Sequence, residues 1–441
     1  MKKFKALLIN PYIEDFTAYD LWIRPLGLYK LSFALKKLNF DVEMIDLLDM
    51  SHPSIPKKFK KRRENGTGKI YFEYISKPKI LPNIERRFKR YGIPISLFKD
   101  KLKKIKGVQI IFLTSIMTYW YTGVEKTIEI LRDQMGNIPI ILGGIYPSLL
   151  FEHAKKRGAD LVIKGSFEKS LPNLLKEIFE CDFLYDFEIY PDYEISWDKK
   201  SLVVQTSKGC PKICKWCASK LIDPEFFQLS HKYLLKVFEK LKKLGTKNIA
   251  FYDDALLYKK DLHLKILLKK LKEKKLNFNF HTPNGIDLND IDEEIIKLFK
   301  ETNFKTIRLS VDLLNKKISY EKLKEVSKMF FKNGFKAGEI EAYLLIGFPE
   351  QSFEEIKEEL YILKELKIIS RFAYFSPIEG TKEWEILKEK GYVKDGEDPL
   401  LSNKLLFPIR FNGINTEELK DLKKIQNLLN NEILSNALKN F

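Results

Sequence analysis

Three cysteines lie within eight residues of one another, in the segment Cys210-Pro-Lys-Ile-Cys214-Lys-Trp-Cys217. Three clustered thiolates can surround one face of a compact inorganic core, either a metal ion or an iron–sulfur cluster. A structural zinc site takes four ligands, usually as two separated pairs, and the next histidine, His231, lies fourteen residues beyond Cys217. Zinc with a distant fourth ligand is therefore the alternative to a four-iron cluster, which keeps one iron open when only three cysteines hold it.

The fourth cysteine of the chain, Cys181, stands apart from this group. It cannot hold a second cluster by itself, and it is most simply explained as a buried thiol. A disulfide framework would spread and pair its cysteines, and the clustering argues against one.

The cysteine segment follows directly on an apolar strand predicted at 202–206. Further strands are predicted at 247–251, 277–281, 306–310, 340–346 and 372–375, with helical patterns at 229–243, 260–274, 290–301, 317–333 and 352–366. Six such units predict an open or closed β/α barrel, in which functional groups gather at the carboxyl ends of the strands. The cysteines are therefore expected over the mouth of this barrel.

An earlier alternation, within residues 1–180, predicts a second parallel sheet. Its short apolar strands are predicted at 6–9, 42–45, 108–113, 138–142 and 161–163, with helices between them. Continuous apolar strands that alternate with amphipathic helices favour a doubly wound α/β sheet covered on both faces. Residues 51–106 interrupt this rhythm as a basic, proline-containing insert.

The Cys-x3-Cys-x2-Cys spacing, with Trp216 just before the third cysteine, resembles the signature loop of the radical S-adenosylmethionine (radical SAM) superfamily. This resemblance implies that Cys210, Cys214 and Cys217 hold a [4Fe-4S] cluster whose open iron binds S-adenosylmethionine. It also implies reductive cleavage to a 5′-deoxyadenosyl radical, with the protein supplying position and exclusion of water. No cysteines remain for an auxiliary cluster.

The resemblance also suggests cofactor and substrate contacts at the later strand ends. The chain has Phe251-Tyr252-Asp253-Asp254 where the family often has a Gly-Gly-Glu segment, and an acid there suits an ammonium group. The sequence does not show whether Asp253 or Asp254 would contact the ammonium group. A helix-capping role is the alternative for either residue. The expected S-adenosylmethionine contacts are Trp216, Tyr252, Asp253, Asp254, Ser310, Asp312 and Gly347, and the expected substrate contacts are His281 and Asn284. No catalytic acid or base is assigned.

The first alternation resembles the cobalamin-binding domain that precedes some radical SAM barrels. Thr114, Ser115, Gly143 and Gly144 follow its strands, and small residues at strand ends make room for a flat macrocycle. The Asp-x-His-x-x-Gly motif that supplies a cobalt-ligating histidine in some cobalamin proteins is absent, and residues 10–25 contain no histidine. An inherited scaffold that binds no corrin is the alternative.

Composition narrows the function classes. The chain has 441 residues, 44% of them hydrophobic, and a formal net charge of +18. It has no run of about 20 apolar residues, so no membrane span is expected, and a cytoplasmic location is expected. The basic run at 57–63 fits either an RNA contact or a solvated cover over a domain interface, and the cover is favoured.

Together these patterns predict a Rossmann-like domain at 1–180, a linker at 181–200, a partial (β/α)6 radical SAM barrel at 201–390 and a helical tail at 391–441. The implied activity is cobalamin-dependent methyl transfer to an unactivated carbon of a small molecule, with a flavodoxin- or ferredoxin-like electron donor. Cobalamin-independent rearrangement or ring closure, and RNA modification, are the rival activities. The substrate itself is not given by the sequence.

Overall fold

The computed structural model describes residues 3–81, 85–183, 186–311, 316–410 and 413–439. The first 180 residues contain β1 (Phe4–Asn10), β2 (Ile13–Asp15), α1 (Leu26–Lys37), β3 (Phe40–Asp46), α2 (Lys57–Lys60), β4 (Phe72–Ile75), β5 (Phe88–Tyr91), α3 (Ile95–Lys104), β6 (Ile110–Ser115), α4 (Tyr121–Met135), β7 (Ile140–Gly144), α5 (Ile145–Leu149), α6 (Phe151–Ala154), β8 (Leu161–Val162) and α7 (Phe167–Phe179).

The later part of the chain has a second series of strands and helices. It contains β9 (Ser201–Val204), β10 (Ser207–Lys208), α8 (Ser219–Ile222), β11 (Phe227–Gln228), α9 (His231–Lys243), β12 (Asn248–Phe251), α10 (Leu264–Glu273), β13 (Asn279–His281), β14 (Ile286–Asp287), α11 (Glu293–Glu301), β15 (Phe304–Ser310), α12 (Lys316–Lys332), β16 (Ile340–Ile346), α13 (Phe353–Glu365), β17 (Ile369–Tyr374), α14 (Lys382–Glu389) and α15 (Thr416–Lys439).

The first sheet has five parallel strands in the order β3-β1-β6-β7-β8. Alternate residues of β1 enter different cores: Leu7 and Ile9 pack in one, and Ala6 and Leu8 in the other. The sheet is therefore covered on both faces, as the continuous apolar strands predict. The strand order reverses between β1 and β6, and in open α/β sheets a ligand binds beside such a switch point. The Rossmann-like fold class is confirmed.

The second sheet has six parallel strands in the order β17-β16-β15-β13-β12-β9, and β14 pairs additionally with β15. In the pairing recorded for the described residues, β9 and β17 lie at opposite ends, so the predicted barrel is partial. Several helices around it begin at side-chain N-caps that accept a hydrogen bond from the first turn, namely Ser230, Asp292, Ser352 and Thr381. These caps satisfy amide groups that helix starts leave open.

The described residues of the insert between β3 and β6 include regular secondary structure. Its strands β4 and β5 form an antiparallel sheet with β2. The insert also reaches the barrel, since Asn248 of β12 donates to the carbonyl of Glu64 and a Cβ on Gly66 would lie 2.2 Å from Ser201 Oγ. Part of the insert therefore covers the interface between the two sheets, which agrees with the favoured interpretation of this basic segment.

Two arginines, one of them fully buried, join the two halves beside β9. Arg24 is only 1% exposed, and it pairs with Asp20 at 3.0 Å and Asp198 at 2.9 Å while its Nε donates to the carbonyl of Ser201. The insert residue Arg62 pairs with the same Asp20 at 2.9 Å. Both guanidinium groups lie about 5 Å from the ring centroid of Trp197, at 5.0 and 4.8 Å. The predicted linker thus carries part of a charged and aromatic contact between the halves.

The segment before α15 also crosses between the two halves. Asn403 donates to Asp15 of β2, and Tyr121 of α4 donates to Asp398. On the barrel side, Ser376 donates to the carbonyl of Ser402. The predicted tail is therefore more than one helix, because its first part packs against both sheets. Among the described residues, no helix is long and apolar enough to cross a bilayer.

Candidate active site

A cavity of about 390 Å³ lies where the carboxyl ends of the two parallel sheets face each other. One wall is formed by residues that follow β6, β7 and β8 together with the start of α1, and the other by residues that follow β9 and β12. The lining includes Thr114, Ser115, Gly143 and Gly144 from the first sheet and Tyr252 and Asp254 from the second. The structure therefore brings six of the residues singled out from the sequence to one space.

The two glycines at the end of β7 have different environments. Gly144 has a φ of +104°, and a Cβ there would lie 2.6 Å from the carbonyl oxygen of Ser115, so the backbone itself requires glycine. Gly143 has no such φ, and a Cβ on it would meet nothing within 4 Å. Neither backbone nor packing explains Gly143, and its bare surface leaves room in the cavity for a flat ligand. This observation fits the corrin ring implied by the resemblance.

The cysteine loop is held at several points. Gly209 has a φ of +73°, and a Cβ there would lie 2.3 Å from the carbonyl oxygen of Glu225. Lys212 forms ion pairs with Asp287 and Asp290. The carbonyl of Lys215 accepts a hydrogen bond from the backbone of α14 at 3.0 Å. These contacts fix the loop at the barrel mouth, where its position after the first barrel strand predicts it.

The three thiols lie close enough to influence one another. Cys210 is buried, whereas Cys214 and Cys217 are exposed. Burial of Cys210 and partial enclosure of Cys214 by the surrounding protein are the main causes that raise the pKa values of these two thiols, and neighbouring thiols add to the shift. In the described part of the chain, no three potential ligands converge on a single ion. A [4Fe-4S] cluster has a different requirement, because each thiolate binds its own iron atom.

Asp253 and Asp254 play different parts. Asp253 is 2% exposed, and its carboxylate accepts hydrogen bonds from the backbone and hydroxyl groups of Thr206 and Ser207, at 2.6–3.0 Å. It therefore fixes the chain that leads into the cysteine loop. Asp254 instead lines the cavity and lies near Cys210, whose thiol pKa it helps to raise.

The surroundings of Asp254 shift the pKa of its carboxyl. Enclosure by protein raises the pKa of its carboxyl, a hydrogen bond from Ser219 opposes that shift, and the nearby Asp223 reinforces it. A cation placed in the cavity would stabilise the ionised form. Asp254 is thus the member of the pair whose position suits an ammonium group of a ligand.

Tyr252 connects the site to the first half of the chain. Its hydroxyl donates to the carbonyl of Trp22 and accepts from the backbone of Arg24 at 3.0 Å. Asn284 supports the same strand end, because its amide donates to the carbonyls of Tyr252 and Asp253 at 3.3 and 3.1 Å. Asn284 was expected to face substrate, and in the structure it positions the acidic strand end.

His281 lies in the barrel interior and is fully buried. Its ring nitrogens are 3.1 Å from Thr306 Oγ1 and 3.1 Å from Asn248 Oδ1, and its ring stacks on Trp22 at 4.8 Å. Burial, with Arg308 nearby, lowers the pKa of His281 to about 3. Its partners are structural, and it is not among the residues that line the cavity.

The remaining expected contacts that the structure describes are Ser310, Gly347 and Trp216. Ser310 is exposed at the end of β15, and Asp312 lies outside the described residues. A Cβ on Gly347 would lie 2.5 Å from Pro408. This glycine therefore makes room for the segment before α15 (residues 398–408, the crossing segment), which packs against the end of β16. Trp216 packs edge-on against Phe348, with ring centroids 6.3 Å apart, in a small apolar cluster.

The cavity also contains charged residues that were not assigned a role from the sequence. Lys208 pairs with Asp223 at 3.4 Å and donates to Ser166 at 3.0 Å, which links the two walls. Lys30 of α1 and Glu168 of α7 also line the cavity. In the sequence, Lys30 is an ordinary polar residue of the amphipathic helix α1. Its place in the cavity wall follows from the position of α1 beside the second sheet, which the sequence does not show.

Comparison with known proteins agrees with this geometry. Residues 204–360 match the Radical SAM superfamily. Residues 204–360 therefore have the sequence features of a radical SAM domain. The match begins at the end of β9, ahead of the cysteine loop, and extends into α13, so it spans the cysteine loop and most of the barrel.

Curated relatives share parts of the chain. A protein of Pyrococcus horikoshii named as an uncharacterized methyltransferase is 28% identical over 196 residues, which are 42% of this chain and 41% of that protein. A similarly named methyltransferase of Synechocystis is 26% identical over 39% of this chain and 35% of its own length. An uncharacterized protein of Methanocaldococcus jannaschii is 22% identical over 61% of this chain and 66% of its own length. The chain thus spans less than half the length of the first two relatives.

The fold is also found in a solved enzyme. Structures of the radical SAM methyltransferase TsrM from Kitasatospora setae superpose with TM-scores of 0.63 and 0.64 at 14% identity. They cover 89% and 90% of this chain, and this chain covers 77% and 76% of theirs. One of them contains cobalamin and a [4Fe-4S] cluster, and the other tryptophan and a SAM analogue. The likeness extends over both sheets, so the radical SAM domain and the Rossmann-like domain share one known arrangement.

Proposed function

We propose that this chain is a radical SAM enzyme that uses a [4Fe-4S] cluster, S-adenosylmethionine and cobalamin to methylate an unactivated carbon of a small molecule. The observation that carries this proposal is the shared cavity, in which Gly143 at the end of β7 faces the strand end that bears Asp254. When bound, these cofactors supply a 5′-deoxyadenosyl radical and a methyl group at one site. The methyltransferase names of two relatives and of TsrM support the same activity.

Each group of residues has a distinct part in this proposal. Cys210, Cys214 and Cys217 hold the cluster, and Asp254 orients the ammonium group of S-adenosylmethionine beside it. Asp253 does not touch the ligand but fixes Thr206 and Ser207 at the root of the cysteine loop. The bare surface of Gly143 leaves room for the corrin ring, and Thr114 and Ser115 line the same wall.

The barrel interior is an unsuitable place for the substrate. Trp22 is fully buried against His281, and Arg308 lies 5.5 Å from the Trp22 ring centroid. Because these side chains fill the interior, the substrate is proposed to reach the cofactors through the space between the sheets. Exclusion of water from this space when the ligands are bound would protect a radical intermediate from side reactions.

Product analysis tests this proposal. The full chain, reconstituted anaerobically with iron, sulfide and methylcobalamin, is incubated with reductant and S-adenosylmethionine. We expect 5′-deoxyadenosine. A parallel preparation loaded with hydroxocobalamin in place of methylcobalamin is expected to form S-adenosylhomocysteine as well, because the reduced cobalamin takes a methyl group from S-adenosylmethionine. Formation of 5′-deoxyadenosine without any bound corrin would instead support cobalamin-independent radical chemistry.

A control variant identifies the source of the products. Cys214→Ala removes one exposed thiol and leaves the two sheets unaltered. It is expected to abolish 5′-deoxyadenosine formation, and unchanged product formation in this variant would refute the assignment of the cluster. An electron donor of the flavodoxin or ferredoxin kind is proposed as the physiological reductant.

RNA modification is tested separately. Binding of RNA through the basic insert would weaken steeply with salt, since phosphate contacts release counterions. Within the insert, Arg62 already forms an ion pair with Asp20, which favours a role in the interface. RNA that co-purifies with the chain and dissociates with rising salt would revive this alternative.

A further inference from the structure

The first turn of α1 faces the cavity without a capping group. Leu26, Gly27 and Leu28 line the cavity. The residue before the helix is Pro25, no side chain caps the helix start, and no acidic residue lies in its first turn. A helix start carries partial positive charge. At the start of α1 the amides of Leu26 and Leu28 donate to the carbonyls of Arg24 and Pro25, so within the described residues the amide of Gly27 is the one left open to a ligand. The start of α1 is therefore positioned to attract an anion.

Lys30, in the next turn of α1, provides an independent observation. Its side chain lines the same cavity, and within the described residues its ammonium group has no ion pair or hydrogen bond. The other cations of the cavity wall are paired, since Arg24 contacts Asp20 and Asp198 and Lys208 contacts Asp223. Enclosure by protein lowers the pKa of Lys30, and Glu168 in the same cavity opposes this shift without pairing with the ammonium group.

Gly27 gives a third observation at the same place. It lies inside the helix, where glycine is unfavourable relative to alanine. Its φ is not in the left-handed region, and a Cβ on it would meet nothing within 4 Å. Neither helix geometry nor packing requires this glycine. The bare surface keeps the helix start open toward the cavity.

We propose that the first two turns of α1 bind an anionic group of the cofactor, and that this group is the phosphodiester in the nucleotide tail of cobalamin. The identity of the anion rests on the proposed function. The side chains of the corrin ring are neutral amides, so the phosphodiester is the part of cobalamin that requires a cation. Lys30 supplies the charge, and the open amide of Gly27 at the start of α1 supplies a backbone donor.

Comparison of three corrinoids tests this proposal. The ligands are cobalamin, cobinamide phosphate, which keeps a phosphate but lacks the ribose and base, and cobinamide, which lacks all three. Their affinities are measured by absorbance titration of the full chain with its cluster reconstituted. The variant is Lys30→Met, and the control is Lys37→Met, which removes the same charge from an exposed position on the same helix.

The account expects Lys30→Met to weaken cobalamin and cobinamide phosphate by about tenfold or more, because a charge-assisted hydrogen bond is lost. Cobinamide is expected to change by less than about twofold, and Lys37→Met is expected to change none of the three. Equal weakening of all three ligands by Lys30→Met, or of none, would overturn the role of α1. If the wild-type chain binds no corrinoid, the proposed function itself fails, and the role of α1 fails with it.

Discussion

At the scale of single residues, the two neighbouring aspartates after β12 have different roles: Asp253 holds the structure together, and Asp254 is placed to bind a ligand. The sequence places both at one strand end, and only the side-chain directions distinguish them. Asp253 points into the protein and binds Thr206 and Ser207, whereas Asp254 lines the cavity. The pair offers a test in which the chemical change is identical and the surroundings differ.

Asp253→Asn is expected to destabilise the protein by about 1–3 kcal/mol, because an amide donor replaces one of the two carboxylate oxygens that accept from Thr206 and Ser207 and the charge that strengthens these bonds is lost. The loop root would loosen, so the iron retained per chain is expected to fall. Asp254→Asn is expected to change the free energy of unfolding by less than about 0.5 kcal/mol and to weaken S-adenosylmethionine binding. Urea unfolding, iron analysis and ligand titration measure these effects, and the same result for both variants would contradict the division of roles.

His281 gives stability a dependence on pH. Its pKa is lowered to about 3 in the folded protein, against about 6.5 in an unfolded chain. Below pH 6.5 the unfolded state therefore takes up a proton that the folded state does not. The contribution of His281 to the free energy of unfolding is present above pH 6.5 and falls by about 1.4 kcal/mol per pH unit as the pH drops toward 3.

This contribution is measured by urea unfolding at pH 7, 6 and 5. His281→Gln is expected to be less stable at pH 7 and to show a correspondingly flatter decline, whereas His52→Gln, at a position outside the barrel, keeps the wild-type slope. Identical slopes in the wild type and His281→Gln would show that His281 is not buried in its neutral form.

At the scale of elements, the strand ends of the first sheet form the wall of the cavity. Gly143 and Gly144 are adjacent, yet only Gly144 is required by its φ of +104° and by the nearby carbonyl of Ser115. Gly143→Leu is expected to keep the free energy of unfolding within about 0.5 kcal/mol and to abolish corrinoid binding by filling the cavity.

The matched variant Gly144→Ala is expected to destabilise the protein by about 1–3 kcal/mol, since a Cβ there is both strained and crowded. Thermal unfolding and corrinoid titration of the two variants measure these effects. Unimpaired corrinoid binding by Gly143→Leu would place the ligand elsewhere.

The elements themselves were largely predictable. The apolar run Ala6–Ile9 identifies β1, and the helical spacing of apolar residues after Pro25 identifies α1. Both can be recognised because the spacing of apolar residues along the chain shows which side chains an element buries. The contacts of the insert with β12 and of the crossing segment with β2 were not predictable, since they join residues far apart in sequence. Gly143 and the cysteines could be identified from the sequence because they directly follow predicted strands. Lys30 could not, because its place in the cavity depends on contacts between distant parts of the chain.

At the scale of the whole molecule, the two sheets share a buried contact around Trp22. This side chain is fully buried although its residue has a φ of 59°, an unfavourable conformation for a bulky residue. Stacking on His281 and a hydrogen bond to the carbonyl of Asn65 hold it in place. The geometry of the site therefore depends on contacts that fix one sheet relative to the other.

Trp22→Ala is expected to lower the free energy of unfolding by about 3–5 kcal/mol, as for other large-to-small changes at buried aromatic positions. It is also expected to weaken corrinoid binding, because the two walls of the cavity would no longer be held together. Calorimetry measures the first effect, and Tyr74→Ala, at a site that is 57% exposed, serves as the control. A loss below about 1 kcal/mol would show that Trp22 does not join the two halves.

The central claim is that one site holds an iron–sulfur cluster and a corrinoid together. The most direct measurement is the content of iron, acid-labile sulfide, zinc and corrinoid in a single anaerobic preparation of the full chain from cobalamin-fed cells. The account predicts about four iron atoms with matching sulfide and about one corrinoid per chain. Stoichiometric zinc without acid-labile sulfide, and no corrinoid, would contradict it.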